Sequence, residues 1–594
     1  MKFFCLTWLS LLLIACNNSA TPIPDKVAIN TTKKANYINP QVIQTPDQNN
    51  LNNNANSQQH TQSIVSLIKQ SPRGPVRPPQ SPTIYNSEAV IPPQCYTKHQ
   101  EEFNPCMTCH QSYPYGSRPN AMNDGGLQQE YAFSDFGATN RWQNLFEDRS
   151  TRIQAISDQE ILDYINTDNY STLIEQLEAM PDWQGPIPKL NDLHLGATAF
   201  DRLGIAKDGS RWVAFNYKPL PSTFWPTNGA TDDVMIRLPR LFSTTSCNNS
   251  QYSRDTYLAN LAILEMAIKD LPNITTPVID ENNICQDINN DGMMGKVITL
   301  PRLTYFVGAA RTIQSHTMLY PKGTEFLHTV RYIGVSAQGD ITLPPRMKEV
   351  RYMRKDTYLS PQSLLSAYGN EHQEKIEERL PNYTYRQDRG SNNAFGWTLL
   401  GFIEAKEGHL RTQNQEETLF CMGCHSTVGA TIDQTFAFAR KITGRQGWGY
   451  INLKGMPDAP TLLSQKNYTT TEDFNLYKTA QSRHSVGEIQ HYLEVVGGGD
   501  EFRQNPEMQK NWFKEGRVIP SAIEGKDVYT LITPSRRRAL ALNKAYYTIV
   551  QDQDYIHGRD ANITPATNVY QKVDENTPVL ATEKAQVWDI RLDW

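Results

Sequence analysis

At 594 residues the chain is long enough for more than one domain and a sizeable buried core. With 57 basic against 62 acidic side chains and a net charge of -5, it lacks the basic excess that broad electrostatic capture of nucleic acid requires. Function has to be read from local motifs.

The N-terminus begins with Lys2, continues as the apolar run "FFCLTWLSLLLIA" and reaches Cys16 through "LIAC". A charged start, an apolar core too short to span a bilayer and small residues ahead of a cut site make an export signal rather than a membrane helix. This stretch resembles a bacterial lipoprotein signal. The resemblance implies removal of residues 1 to 15 and acylation of Cys16. Asn17 in place of Asp implies delivery to the outer membrane, with the periplasmic or the surface face left open. From residue 16 to 93 the sequence is polar and rich in Asn, Gln and Pro, as in "TPDQNNLNNNANSQQHTQS". It lacks the apolar periodicity that offsets ordering entropy and is expected to be a disordered tether, with an end-to-end distance of roughly 50 Å.

The region 94–200 opens on "CMTCH", with Cys106, Cys109 and His110, and continues into two segments with helical apolar spacing, "ISDQEILDYI" and "STLIEQLEAM". The middle, 201–394, is mixed. It has a helix predicted over Tyr257 to Leu271, a small sheet or hairpin between Phe326 and Leu359 in "HTVRYIGVSAQGDITL" and "KEVRYMRKDTYL", and a helix capped by Ser360. The motif "DINNDG" places Asp287, Asn289 and Asp291 before a turn glycine, the first half of a calcium loop. The bidentate Glu of a complete loop is missing, because Ile298 occupies its position; Asp280 or Glu281 is the candidate to complete the site, against a plain Asn/Asp turn. In an oxidising compartment Cys247 and Cys285 are candidates for a disulfide that leaves Cys95 odd, although any pairing among the three is open.

The last region, 395–594, carries "CMGCH", with Cys421, Cys424 and His425, and ends in a capped helix within "TPSRRRALALNKAYYTIV". Two exact Cys-x-x-Cys-His matches in a chain of nine cysteines and 12 histidines are beyond chance. The pattern reads as c-type haem attachment: two thiols bond the two vinyl groups on one porphyrin edge, and the adjacent imidazole reaches the iron. Zinc needs four ligands, and neither motif has a second half-site nearby in sequence, although the two motifs pairing across the fold is an alternative. A dithiol redox pair wants a βαβ context that neither approach offers.

The iron's second face decides between passing electrons and binding a small molecule. Met180 and Met456, each in a Met-Pro-Asp loop, are the candidate distal ligands, 70 and 31 residues beyond the respective histidines. His99, His194, His484 and His491 are the imidazole rivals. The signal and the two haem motifs together resemble bacterial di-haem c-type cytochrome lipoproteins, and more loosely di-haem cytochrome c peroxidase-like enzymes. The resemblance implies a mainly α fold of cytochrome c-like haem modules around a mixed α/β middle, two covalent haem c groups and, by analogy with the peroxidases, Ca2+. The expected function is electron transfer in the cell envelope with a redox partner protein. The alternative is a di-haem oxidoreductase, similar to peroxidases or polymer-cleaving oxygenases, with one open haem and a small oxidant.

Overall fold

In four segments, "TDDVMIR", "EFLHTVR", "MKEVRYMRK" and "WTLLGFIE", β-branched and aromatic side chains are dense, and these form the centre of one antiparallel sheet. The computed structural model describes residues 71–79, 84–98, 105–111, 118–119, 133–221, 229–247, 251–379, 383–461, 486–496, 505–560, 562–574, 576 and 589–594. All of them fall in the unit Asn54–Trp594. The sheet strands are β1 (Val213–Ala214), β2 (Thr231–Arg237), β3 (Glu325–Arg331), β4 (Met347–Lys355), β5 (Thr384–Tyr385), β6 (Ser391–Asn392), β7 (Trp397–Glu404) and β8 (Leu410–Thr412). Their spatial order is β1-β2-β3-β4-β7-β6-β5, with β8 paired to β7.

The register sets three rows across one face. Ile236, Phe326, Met353 and Leu399 form the first, Val234, His328, Arg351 and Gly401 the second, and Asp232, Val330, Glu349 and Ile403 the third. This face meets α1 (Arg254–Lys269) and the chain around the second cysteine motif in the largest core cluster. The opposite face, with Met235, Leu327, Val350 and Phe402, packs on the helix Tyr170–Ala179. Both faces are covered, so β2 and β7 are buried almost throughout and show little polar alternation.

This architecture corrects the expectation of a mainly α fold of cytochrome c-like modules. Among the described residues 33% are helical and 20% strand, and an eight-stranded sheet organises them. The expected sheet between Phe326 and Leu359 is its centre, and β2 and β7 were overlooked because continuous burial erases the period of two.

The helices predicted from apolar spacing form close to the expected bounds. Asp158–Ile165 is capped by Ser157, whose side chain accepts from the Glu160 amide; Arg254–Lys269 is capped by Ser253. The C-terminal helix, Arg536–Asp552, is capped by Ser535 and lies across the third sheet row through Tyr546 and Ile549. Within the span read as tether, residues 71–79 and 84–93 make ordered contacts. Val76, Ala89 and Val90 are buried, and the Val90 amide donates to the Leu419 carbonyl at 3.2 Å.

A seam joins this early segment to the end of the chain. Thr97 bridges to Val569 and Thr139 to Lys572, and the Lys98 amide donates to the Asn568 carbonyl at 2.8 Å. Cys247 and Cys285 form a disulfide.

Candidate functional site

The second cysteine motif begins on α2 (Gln415–Met422). Asn414 and Glu417 form a reciprocal capping box at its start, and Arg411 grips the Glu417 carboxylate through two bonds of 2.9 and 2.8 Å. Cys421 lies in the last turn, and its carbonyl accepts from the amides of Cys424 at 3.2 Å and His425 at 3.1 Å, so the motif is wound tightly on the helix end. Gly423 has no side chain to spare: a Cβ there would lie 2.2 Å from the Val90 carbonyl oxygen.

A second turn orients His425. Ile432 and Thr435 exchange backbone hydrogen bonds, and the two residues between them, Asp433 and Gln434, both take left-handed conformations, with φ of 48° and 56°. Single left-handed residues of this kind persist where surroundings hold them. Here the Lys355 ammonium donates to Asp433 at 2.6 Å and the Tyr320 amide at 3.1 Å. The turn aims the Gln434 carbonyl at His425 Nδ1, 2.8 Å away. That nitrogen must carry the proton to make the bond, so Nε2 holds the free lone pair, the tautomer that metal-binding imidazoles use. Burial pushes the imidazole down to about 4 and keeps it neutral.

His425, Cys421 and Cys424 line a cavity of about 240 Å³. Apolar rings of Trp142, Phe326, Phe420 and Phe438 form much of its wall, and the sheet contributes His328, Arg351 and Met353. His328 Nε2 lies 3.1 Å from Asp232 Oδ2, which also accepts from the Tyr217 hydroxyl at 2.7 Å. Arg351 and Arg559 share the Glu349 carboxylate at 2.9 and 2.8 Å. Burial alone would raise that carboxyl, but the two guanidinium groups outweigh it and hold it at about 2.

The first motif reaches the same cavity. Its Pro105–Thr108 turn leads to Cys109, which lines the cavity and whose carbonyl accepts from the Ala430 amide at 2.8 Å. The turn Tyr492–Val496, just after the buried His491, packs on Pro105–Thr108. Motifs more than 300 residues apart in sequence thus face one chamber.

The other expected site residues are elsewhere. Met180 ends the helix Tyr170–Ala179 and borders a separate groove with Arg73 and Arg77. Met456 is buried against Ile489 and Trp512. Neither lines the shared cavity. His194 bonds Ser171 at 3.2 Å beside Asp168. Cys16, His99 and His484 lie outside the described residues. In the loop of Asp287, Asn289 and Asp291, the carboxylates accept from the loop's own amides: Asp287 takes those of Asn290 and Gly292, and the buried Glu281 takes those of Ile288 and Gly295. The geometry is that of a self-capped turn. Among the described residues no group of three or more His, Cys, Asp or Glu is placed to hold a metal ion.

The residues fit a covalent haem at the second motif. Two thiols and a neutral imidazole with a free Nε2 open together on an apolar chamber, and burial raises the Cys424 thiol to about 11, which disfavours a thiolate redox pair. Sequence reading missed Asp232, His328, Arg351 and Met353, whose only signal is polar or sulfur-bearing side chains at alternate positions of otherwise apolar strands.

A family model of lipoproteins matches residues 80–524. The chain is 30% identical over 553 residues to an uncharacterized lipoprotein of Aquifex aeolicus (strain VF5), covering 85% of this chain and 92% of that protein. No solved structure matches. Among the described residues no helix is long and apolar enough to cross a membrane.

Proposed function

The chain belongs to this family of bacterial lipoproteins, and on that premise we propose that it is a lipid-anchored di-haem c redox protein of the cell envelope. Cys16 carries the anchor, and Asn17 favours the outer membrane. Cys106, Cys109 and His110 hold one haem; Cys421, Cys424 and His425 hold the other. When bound, these groups would supply one-electron redox centres at which a small oxidant could be reduced. Electrons arrive from a redox partner protein.

The observation that carries this reading is the single chamber onto which Cys109, Cys421, Cys424 and His425 all open. His425 presents Nε2, the Cys421 and Cys424 thiols stand beside it, and Arg351 and Arg559 place positive charge near Cys421. An open second position is favoured over simple transfer because Met180 and Met456 do not line the chamber. One observation favours simple transfer: Met353, the one methionine of the described residues on the cavity wall, is a candidate closing ligand.

Mass spectrometry of the denatured protein tests attachment, with an increment of two haems expected. Release of all pigment into acidified organic solvent overturns the proposal. The oxidised spectrum separates the two readings. A high-spin component unchanged in Met353→Ala supports the open site, whereas a fully low-spin wild type that gains a high-spin signal in Met353→Ala means transfer alone. Replacing Cys16 with Ser releases the protein from membranes or blocks its processing if the anchor is right.

A further inference from the structure

Resting on the reading that the chamber holds a one-electron redox centre, we propose that Tyr546, Tyr332, Tyr164 and Tyr547 form a relay that carries oxidising equivalents from the chamber to the protein surface, with Glu404 as the proton store of its two middle phenols. Tyr546 lines the chamber. Its ring meets that of Tyr332 with centroids 5.5 Å apart, Tyr332 meets Tyr164 at 5.8 Å, and Tyr164 meets Tyr547 at 4.6 Å, each pair edge to face. Tyr546 and Tyr332 are buried, and Tyr547 is partly exposed. Tyr546 and Tyr547 are successive residues of the C-terminal helix, so they leave it on different faces, one toward the chamber and the other toward Tyr164.

One buried carboxylate serves both middle phenols. Glu404 ends β7; the Tyr332 hydroxyl donates to its Oε2 at 2.6 Å, the Tyr164 hydroxyl to its Oε1 at 2.7 Å, and Arg346 to Oε1 at 2.5 Å. Rings needed only to fill a core would be phenylalanines, with no buried hydroxyls or ion pair to satisfy. A phenol gives up an electron readily only if its proton leaves with it. Glu404 is in place to receive that proton, and burial pushes its carboxyl up, which makes it the better acceptor. Cations set the threshold. The Lys348 ammonium lies 4.0 Å from the centre of the Tyr546 ring and the Arg346 guanidinium 3.7 Å from that of Tyr164, and positive charge over a ring makes its oxidation harder. The relay therefore answers a strong oxidant and leaves ordinary electron transfer alone.

With hydrogen peroxide as the oxidant, HOOH plus two electrons plus two protons gives two waters. Each electron follows the same course. Tyr332 yields an electron across the Tyr546 ring and its proton to Glu404 Oε2. It recovers an electron from Tyr164 and the proton from Glu404, while Tyr164 yields its own proton to Oε1. Tyr164 is restored likewise by an electron from Tyr547 and the proton on Glu404, and Tyr547 releases its proton to water. A reductant of the phenol or ascorbate class then returns a hydrogen atom to Tyr547. Two such passages supply the two electrons and leave two protons in water for the peroxide.

The test uses the full-length, haem-loaded protein, hydrogen peroxide without added reductant, and a nitroso spin trap that bonds to phenoxyl radicals, read by peptide mass spectrometry. Wild type should carry the label on Tyr547. Tyr332→Phe, which keeps the ring and loses the hydroxyl, should lose the Tyr547 label, and Glu404→Gln should lose it with all four tyrosines in place. Haem content by mass and the resting spectrum should match wild type in both. An undiminished Tyr547 label in Tyr332→Phe overturns the proposal, and so does label spread evenly over tyrosines outside the chain. If these buried variants do not fold, Tyr547→Phe near the surface carries the test. Once ascorbate is added, its phenoxyl signal in electron paramagnetic resonance should decay more slowly than in wild type, and decay at the wild-type rate defeats the relay. A wild type without covalent haem defeats the functional reading instead, and the mass increment tells the two failures apart.

Discussion

The two Cys-x-x-Cys-His motifs share a spelling and little else. The second sits on the end of a capped α-helix, its imidazole fixed by a two-residue left-handed turn and its middle glycine pressed on the Val90 carbonyl. The first sits on a short 3-10 turn, Pro105–Thr108, with Thr108 where the second has Gly423, and meets the chamber through Cys109. Attachment chemistry is written in five residues, but what a bound group could do is decided by the walls around it. The second motif faces positioned polar groups, with His328 on Asp232 and with Arg351 and Arg559 on Glu349.

The comparison breaks most visibly at Asp433. Asp433→Ala leaves the buried Lys355 ammonium unpaired and loosens the turn that aims Gln434 at His425. Loss of one partner of a buried pair costs about 3 to 5 kcal/mol. Denaturant unfolding should show that loss together with an altered spectrum of the second site and no change at the first.

Next in size is Glu349. Its carboxyl is held at about 2 against an ordinary 4.5, a difference of about 3 kcal/mol. Because the folded value is depressed, this stability is fully present above 4.5 and is lost as pH falls toward 2. In Glu349→Gln the melting temperature should be lower at neutral pH, and its decline between pH 4.5 and 2 should be shallower than in wild type.

A smaller effect tests the middle residue of each motif. Gly423→Thr forces a Cβ onto the Val90 carbonyl and should cost about 1 to 3 kcal/mol. The mirror change, Thr108→Gly, should lower the yield of the first attachment less than Gly423→Thr lowers that of the second. Equal effects on haem stain would erase the distinction between the two settings. The smallest expected effect is at the helix start, where Asn414→Ala removes the capping box and about 1 kcal/mol by thermal melting.

Much of the site's chemistry was legible and most of its setting was not. Cysteine and histidine spacing marked both Cys-x-x-Cys-His motifs, and Ser360 marked a helix start. "HTVRYIGV" and "KEVRYMRK" announced strands by alternation, but alternation says which residues share a face, not which face meets Cys421. His328 was therefore passed over in favour of histidines nearer the motifs in sequence. "WTLLGFIE" announced no strand, because a strand covered on both sides shows no period. The Met-Pro-Asp loops lie away from the chamber, since chain distance from a histidine carries no information on whether a side chain lines the same cavity.

The seam between Thr97 and Val569 governs when the molecule can close. The segment just before Cys106 pairs with residues made some 470 positions later, so nothing can lock it until nearly the whole chain has emerged from export. Contacts of such sequence separation form late in folding. On the proposed reading, the thiols of the first motif thus stay within reach of haem attachment through most of biogenesis, while α2 and its neighbours can already be folding. Maturation order, first thiol exposed longest and last strand bridge sealing it, is written into where the two ends of the chain meet.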